Sequence, residues 1–218
     1  MRNAVFRAAA AAAFAFSLGA AAEAATFNIG STSGATSVPG GYQFSVDGVT
    51  LTVTAGIFDS SGVVTPGGNG ARPVIYDCCG MGVSHDTDGQ HTVDGSGLME
   101  VVIFAFDKPV TVDWVKFGYF GSDDDFEFFA DSDNDGALDW LFSDIDIPWD
   151  GWFALSSIWS TAGTIFGIGA DHYSDTFKLK KLIVTEAPEI PLPAAAPLFL
   201  AGLAGLGLAR RRRARAAA

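Results

Sequence analysis

Tyr42-Gln43-Phe44-Ser45-Val46-Asp47-Gly48-Val49-Thr50-Leu51-Thr52-Val53-Thr54 is the stretch whose reading decides the fold. Apolar and polar residues alternate on both sides of Asp47-Gly48, and a period of two lays one apolar row along one face of an extended strand. A two-residue Asp-Gly link accepts positive φ at both positions, which matches the twist of an antiparallel pair. The segment therefore reads as a β-hairpin.

Working outward, strand patterns recur at 98–106, 110–119, 126–130, 151–155, 164–169 and 177–185, with Gly, Asp, Pro and Ser between them. No segment between the two ends holds a helical period over three turns. The expected fold is all-β, an antiparallel β-sandwich of jelly-roll-like form, occupying residues 25–187. Eighteen Phe and five Trp supply its core. Val102, Phe104 and Phe106 read as one inward row, and Val112, Trp114 and Phe117 as a second with a small irregularity.

The chain carries a formal net charge of -12. The middle is more acidic than that: residues 25–187 hold six basic side chains against 23 acidic ones, a net of -17. Such a body repels phosphate backbones, which excludes nucleic acid as a partner, and it attracts divalent cations. Cys78 and Cys79 are the two cysteines and are adjacent, too few for a disulfide framework or a four-ligand zinc site. In an oxidising compartment they can close a vicinal disulfide before Gly80; the alternative is a buried or free thiol pair.

Both ends differ from the middle. Arg2 and Arg7 precede an Ala-rich apolar run, and Ala22-Glu23-Ala24 is a small-x-small cleavage pattern, so residues 1–24 read as a signal peptide. Residues 192–209 are uncharged, roughly 27 Å long as a helix at 1.5 Å per residue, and five arginines follow within residues 210–215. This predicts a transmembrane helix whose tail stays in the cytoplasm. Ile190-Pro191-Leu192-Pro193-Ala194 precedes it, extended because proline disfavours helix there.

The sequence of Pro motif, Gly-containing apolar helix and Arg210-Arg211-Arg212-Arg213 resembles the PEP-CTERM sorting signal, in its Val-Pro-Leu-Pro-Ala variant, with Ile190 in place of Val. The resemblance covers residues 188–218. It implies that an exosortase-type sorting protease removes the helix and passes the body to the outer surface. The body also resembles certain exosortase-dependent surface proteins, at Gly80-Met81-Gly82-Val83, His91-Thr92-Val93-Asp94, Glu100, Phe106-Asp107-Lys108-Pro109-Val110, Gly169-Ala170 and Asp175-Thr176-Phe177-Lys178-Leu179. These motifs imply no activity.

The sharpest local chemistry is Asp131-Ser132-Asp133-Asn134-Asp135-Gly136-Ala137-Leu138-Asp139. Alternate acidic residues around a glycine turn gather oxygen ligands for calcium, with the Ala137 carbonyl and Asp139 completing the set. Phe142 stands where an EF-hand would place its chelating glutamate, so the loop is of a helix-free kind, with Asp144 or Asp123 able to supply a missing ligand. The alternative is a solvated acidic turn. A second constellation, His85, Asp86, Asp88, His91 and Asp94, has donors suited to a transition metal but equally the composition of a polar turn. Trp149, Trp152 and Trp159 are candidates for stacking on sugars, against the simpler role of core packing.

No nucleophile elbow, zinc-protease motif or phosphate loop is present. The expectation is a non-catalytic component of the cell surface or of a biofilm-type extracellular matrix. It uses the Sec export machinery, pauses in the inner membrane through its C-terminal helix, and contacts exopolysaccharide or envelope glycan. Two other readings stay open: a calcium-dependent carbohydrate-binding module, and an extracellular glycoside hydrolase using paired carboxylates.

Overall fold

The hairpin sets the frame. In a computed structural model, which describes residues 23–87 and 89–188, Asp47 and Gly48 both take positive φ, 49° and 78°. They join β3 (Gly41–Val46) to β4 (Val49–Phe58), and the ladder runs from Val46↔Val49 to Tyr42↔Val53. Every other described pairing is antiparallel as well, so the fold is all-β.

In chain order the remaining strands are β1 (Ala24–Phe27), β2 (Thr36–Val38), β5 (Val64–Pro66), β6 (Arg72–Tyr76), β7 (Gly80–Ser84), β8 (Val93–Asp94), β9 (Met99–Gly118), β10 (Asp125–Ala130), β11 (Asp139–Asp146), β12 (Trp152–Phe153), β13 (Gly163–Ala170) and β14 (Thr176–Glu186). The main path of the sheet runs β11-β10-β13-β9-β14-β7-β6, with β4 also on β9 and β3 beyond it. The strands belong to one compact unit, residues 22–187.

β9 organises this sheet. The sequence predicts two strands parted by a turn at Phe106-Asp107-Lys108-Pro109-Val110; one continuous strand of 20 residues replaces them. Its first half lies between β4 and β13, with Phe104 opposite both Val53 and Phe166, and its second half lies against β14 and β12. Pro109 falls where the partners change. Its missing N–H costs no ladder bond there, while its carbonyl accepts from Ala187 N at 2.9 Å.

The main core contains the inner rows of both halves: Leu51, Val53, Val102, Phe104 and Phe106 from one, and Phe27, Val115, Phe117, Phe177 and Leu182 from the other. Val102, Phe104 and Phe106 point inward as their alternation predicts. The second row differs. The β14 register slips between Ile183, opposite Trp114, and Val184, opposite Val112. That bulge turns Trp114 outward, 42% exposed, and puts Val115 inside.

Phe58, Val101, Ile103 and Phe129 form a smaller cluster, covered by Leu138 and Trp140. Gly167 and Gly169 of β13 make this packing possible: a Cβ at Gly169 would lie 2.9 Å from the Phe58 ring and 2.8 Å from the Glu100 carbonyl.

Among the described residues no helix is long and apolar enough to cross a membrane. The signal peptide, bar its last two residues, and the sorting motif with Ile190, Pro191, Leu192, Pro193, Ala194 and Arg210 to Arg213 lie outside the described residues. Ala24, the last signal residue by the sequence reading, already pairs with Thr185 in β1.

Candidate functional site

The acidic loop links β10 to β11. Asp131, Asp133 and Asp135 each bring a carboxylate oxygen within 4.8 Å of the others. Asn134 at φ 62° and Gly136 at φ 90° turn the chain sharply. The loop's own amides fill the inside: Asp135 N donates to Asp131 Oδ1 and Asp133 Oδ1, Gly136 N to Asp131 Oδ2, and Ala137 N to Asp135 Oδ1 at 2.8 Å. Asp139 is occupied apart from them. Its Oδ2 accepts from the Ser132 hydroxyl and amide, which together hold its carboxyl below the usual range. Ala137 contributes its amide to the loop, and Phe142 packs 6.4 Å from Phe128 between ring centroids.

A groove of about 570 Å³ borders this loop. Thr54, Val63, Ile103, Ala137, Trp140 and Ile165 are among the residues that line it. Trp140 is fixed edge-on to Phe58, and its indole N–H donates to the Phe142 carbonyl.

The proposed stacking residues diverge. Trp149 is 92% exposed, Trp152 carries Lys116 Nζ over its ring at 5.1 Å, and Trp159 packs against the main core.

The His85 to Asp94 constellation also separates. His85 is buried with its Nε2 3.5 Å from Glu100 Oε1 and its Nδ1 3.1 Å from the Thr87 hydroxyl. Asp94 is buried too, accepting from Thr92 Oγ1 and Ser96 N, while its own amide donates to Glu100. His91 turns elsewhere and stacks on Tyr76 at 5.1 Å. Asp88 lies outside the described residues. These hydrogen bonds tie the 85–96 connection to β9, the work of a structural network.

Tyr76 and His91 belong to a second cleft, about 410 Å³, which Tyr119, Gln90 and Lys178 also line. Lys178 Nζ sits 4.8 Å over the Tyr76 ring and donates to the His91 carbonyl; burial lowers its pKa. Cys79 is at its edge, disulfide-bonded to Cys78 in the turn that joins β6 to β7.

One cluster escapes the sequence reading. Asp125 at the start of β10 meets Asp171 and Asp175 of the β13–β14 connection, all three with carboxylate oxygens within 4.8 Å. Glu127, two residues along β10 and opposite Gly169, is fully buried. Burial pushes its carboxyl up to about 9, the Asp171 charge adding to this and the Asp144 amide opposing it. Asp175 is pushed up to about 6, first by burial and then by Asp125, and burial raises Asp125 as well. A signal exists in the sequence: Asp125-Phe126-Glu127-Phe128 places two acids on one face of a strand whose other face is core.

No protein-family model matches the chain, and comparison with curated proteins and with solved structures returns no similar protein.

Proposed function

We propose that this chain is an exported, non-catalytic component of a bacterial surface or extracellular matrix, sorted through its C-terminal signal and built on a jelly-roll-like β-sandwich. The observation that carries the reading is the Cys78–Cys79 disulfide within a body of net charge -17. Disulfides persist outside the reducing cytoplasm, which is where the signal peptide and the arginine-backed tail would deliver the body. Two half-sheets packed about a Phe-rich core, with the β6–β7 turn stiffened by its disulfide, suit a durable scaffold.

Intact-mass measurement of the protein recovered from the surface of producing cells tests this. The expected mass is that of a chain cleaved near Ala24 and within the Ile190–Ala194 motif, rising by about 2 Da on reduction as the one disulfide opens. Recovery of the uncleaved chain from the cytoplasm would sink the proposal.

A second reading, a calcium-dependent carbohydrate-binding module, is favoured by the groove beside Trp140. Val63, Ile103 and Ile165 line it together with the Trp140 indole, and Ala137 and Asp139 of the acidic loop border it. Glycan ligands commonly combine aromatic faces with a few fixed polar groups. Binding on a glycan array that is lost both in EDTA and in Trp140→Ala supports it; no glycan binding in calcium removes it.

A further inference from the structure

We infer that Asp125, Asp171 and Asp175, backed by Glu127, form a partly buried binding site for a single calcium ion, distinct from the 131–139 loop. The placement is a product of register. Asp125 and Glu127 share a face of β10, and the β13–β14 connection returns Asp171 and Asp175 to the same corner. That connection is pinned independently of the carboxylates: Asp175 N donates to the His172 carbonyl at 3.1 Å, and His172 Nδ1 and the Ser174 hydroxyl are 2.7 Å apart. Asp124 pins the other side, accepting from Gly121 N and from Thr176 N at the start of β14.

An acidic cluster alone is common on protein surfaces. This one differs because Asp175 and Glu127 are inside the fold, with Asp125 and Asp171 half-buried beside them. Asp175 is 1% exposed and Glu127 0%. Asp125 Oδ1, Asp175 Oδ2 and both Glu127 oxygens are buried without a hydrogen-bond partner of good geometry. Among the described residues no Lys or Arg pairs with any of the four. Buried carboxylates left without donors or counter-charge are strongly disfavoured, and a coordinated cation removes that penalty for the whole group at once.

The chemistry selects the ion. The donors are all carboxylate oxygens, which suit hard cations rather than zinc or copper. Calcium binds oxygen at 2.3–2.6 Å, so ligands on opposite sides of it stand roughly 4.6–5.2 Å apart, and magnesium, at 2.0–2.1 Å, brings them to roughly 4.1 Å. Oxygens within 4.8 Å of one another are close enough to share one such ion, and calcium accepts an irregular cage of protein carboxylates where magnesium demands a regular octahedron and keeps its waters. Calcium here would tie β10 to the β13–β14 connection. The 131–139 loop lacks this imperative, because its carboxylates already accept from their own amides and two of the three are exposed.

The test uses the full chain in mild detergent, stripped with chelator and titrated with calcium chloride by calorimetry. In the Asp133→Ala, Asp135→Ala background, which disables the loop, about one calcium per chain is expected to bind. Adding Asp125→Asn and Asp171→Asn is expected to weaken that event at least tenfold, by the scale of even indirect changes at metal sites. Absence of calcium binding in the loop-disabled chain overturns the inference, and so does binding unchanged by the two Asn substitutions. Should the Asn variant fail to fold, the stoichiometry of the loop-disabled chain decides alone.

Discussion

Phe27 and Phe106 meet edge to face, 5.9 Å between ring centroids and 67° between planes, and so join the first strand to the middle of β9. Phe27 is wholly buried, four residues into the described chain. Truncating a buried Phe removes its transfer energy and leaves a cavity, together about 3–5 kcal/mol. Phe27→Ala should therefore lower the urea-unfolding free energy of residues 23–187 by that amount. A loss under about 1 kcal/mol would mean that β1 is not part of the cooperative core.

Two glycines mark where backbones nearly touch. A Cβ at Gly41 would lie 1.9 Å from the Val53 carbonyl oxygen, and one at Gly82 would lie 2.0 Å from that of His91. Both oxygens belong to backbone, so neither can yield without moving a strand. Gly41→Ala and Gly82→Ala should each cost on the order of 1–3 kcal/mol or more, the scale of overpacking. Gly89, where an added methyl would meet nothing within 4 Å, should tolerate Ala with a change in melting temperature too small to resolve.

The hairpin at Asp47-Gly48 and the strands at 126–130, 164–169 and 177–185 are legible in the sequence because alternation and turn chemistry agree there. β6, β7 and β11 are not. Arg72–Tyr76 contains Pro73, Gly80–Ser84 is glycine-broken, and Asp139–Asp146 mixes acids with aromatics, so none shows a clean period of two. The Asp131, Asp133 and Asp135 grouping is visible as a local motif. The Asp125, Asp171 and Asp175 grouping is not, since it spans about 50 residues and exists only through the pairing of β10 with β13.

In chelator, stability should fall as pH rises. The Glu127 carboxyl sits near 9 in the folded protein, pushed up by burial and by the Asp171 and Asp125 charges, against an ordinary value of 4.5 when unfolded. Between those values the folded state holds a proton that the unfolded state releases. The slope of unfolding free energy against pH is then negative. Asp175, near 6, adds the same sign between its ordinary 3.8 and that value. Melting temperature in EDTA should decline from pH 5 to pH 8, and Glu127→Gln should flatten most of the decline. A curve rising with pH over that interval would contradict the burial of these acids.

The 131–139 loop allows a capping role to be separated from a calcium role. Asp131 accepts from the amides of Asp135 and Gly136, whereas Asp133 accepts from Asp135 alone, sharing that donor. In chelator, Asp131→Ala should cost about 1–2 kcal/mol, since two amides lose a charged acceptor at a partly exposed site. Asp133→Ala should cost less than about 0.5 kcal/mol, because its one donor keeps another partner. In an Asp125→Asn, Asp171→Asn background, millimolar calcium should raise the melting temperature only if the loop itself binds the ion in the folded state. An unchanged melting temperature there, with Asp133→Ala and Asp135→Ala silent in calcium, would leave the loop as a self-capped turn. A rise abolished by those two substitutions would make it a calcium loop, in which the three carboxylates of Asp131, Asp133 and Asp135, each pair repelling by roughly 0.8 kcal/mol at about 5 Å even in bulk water, are drawn together by the cation.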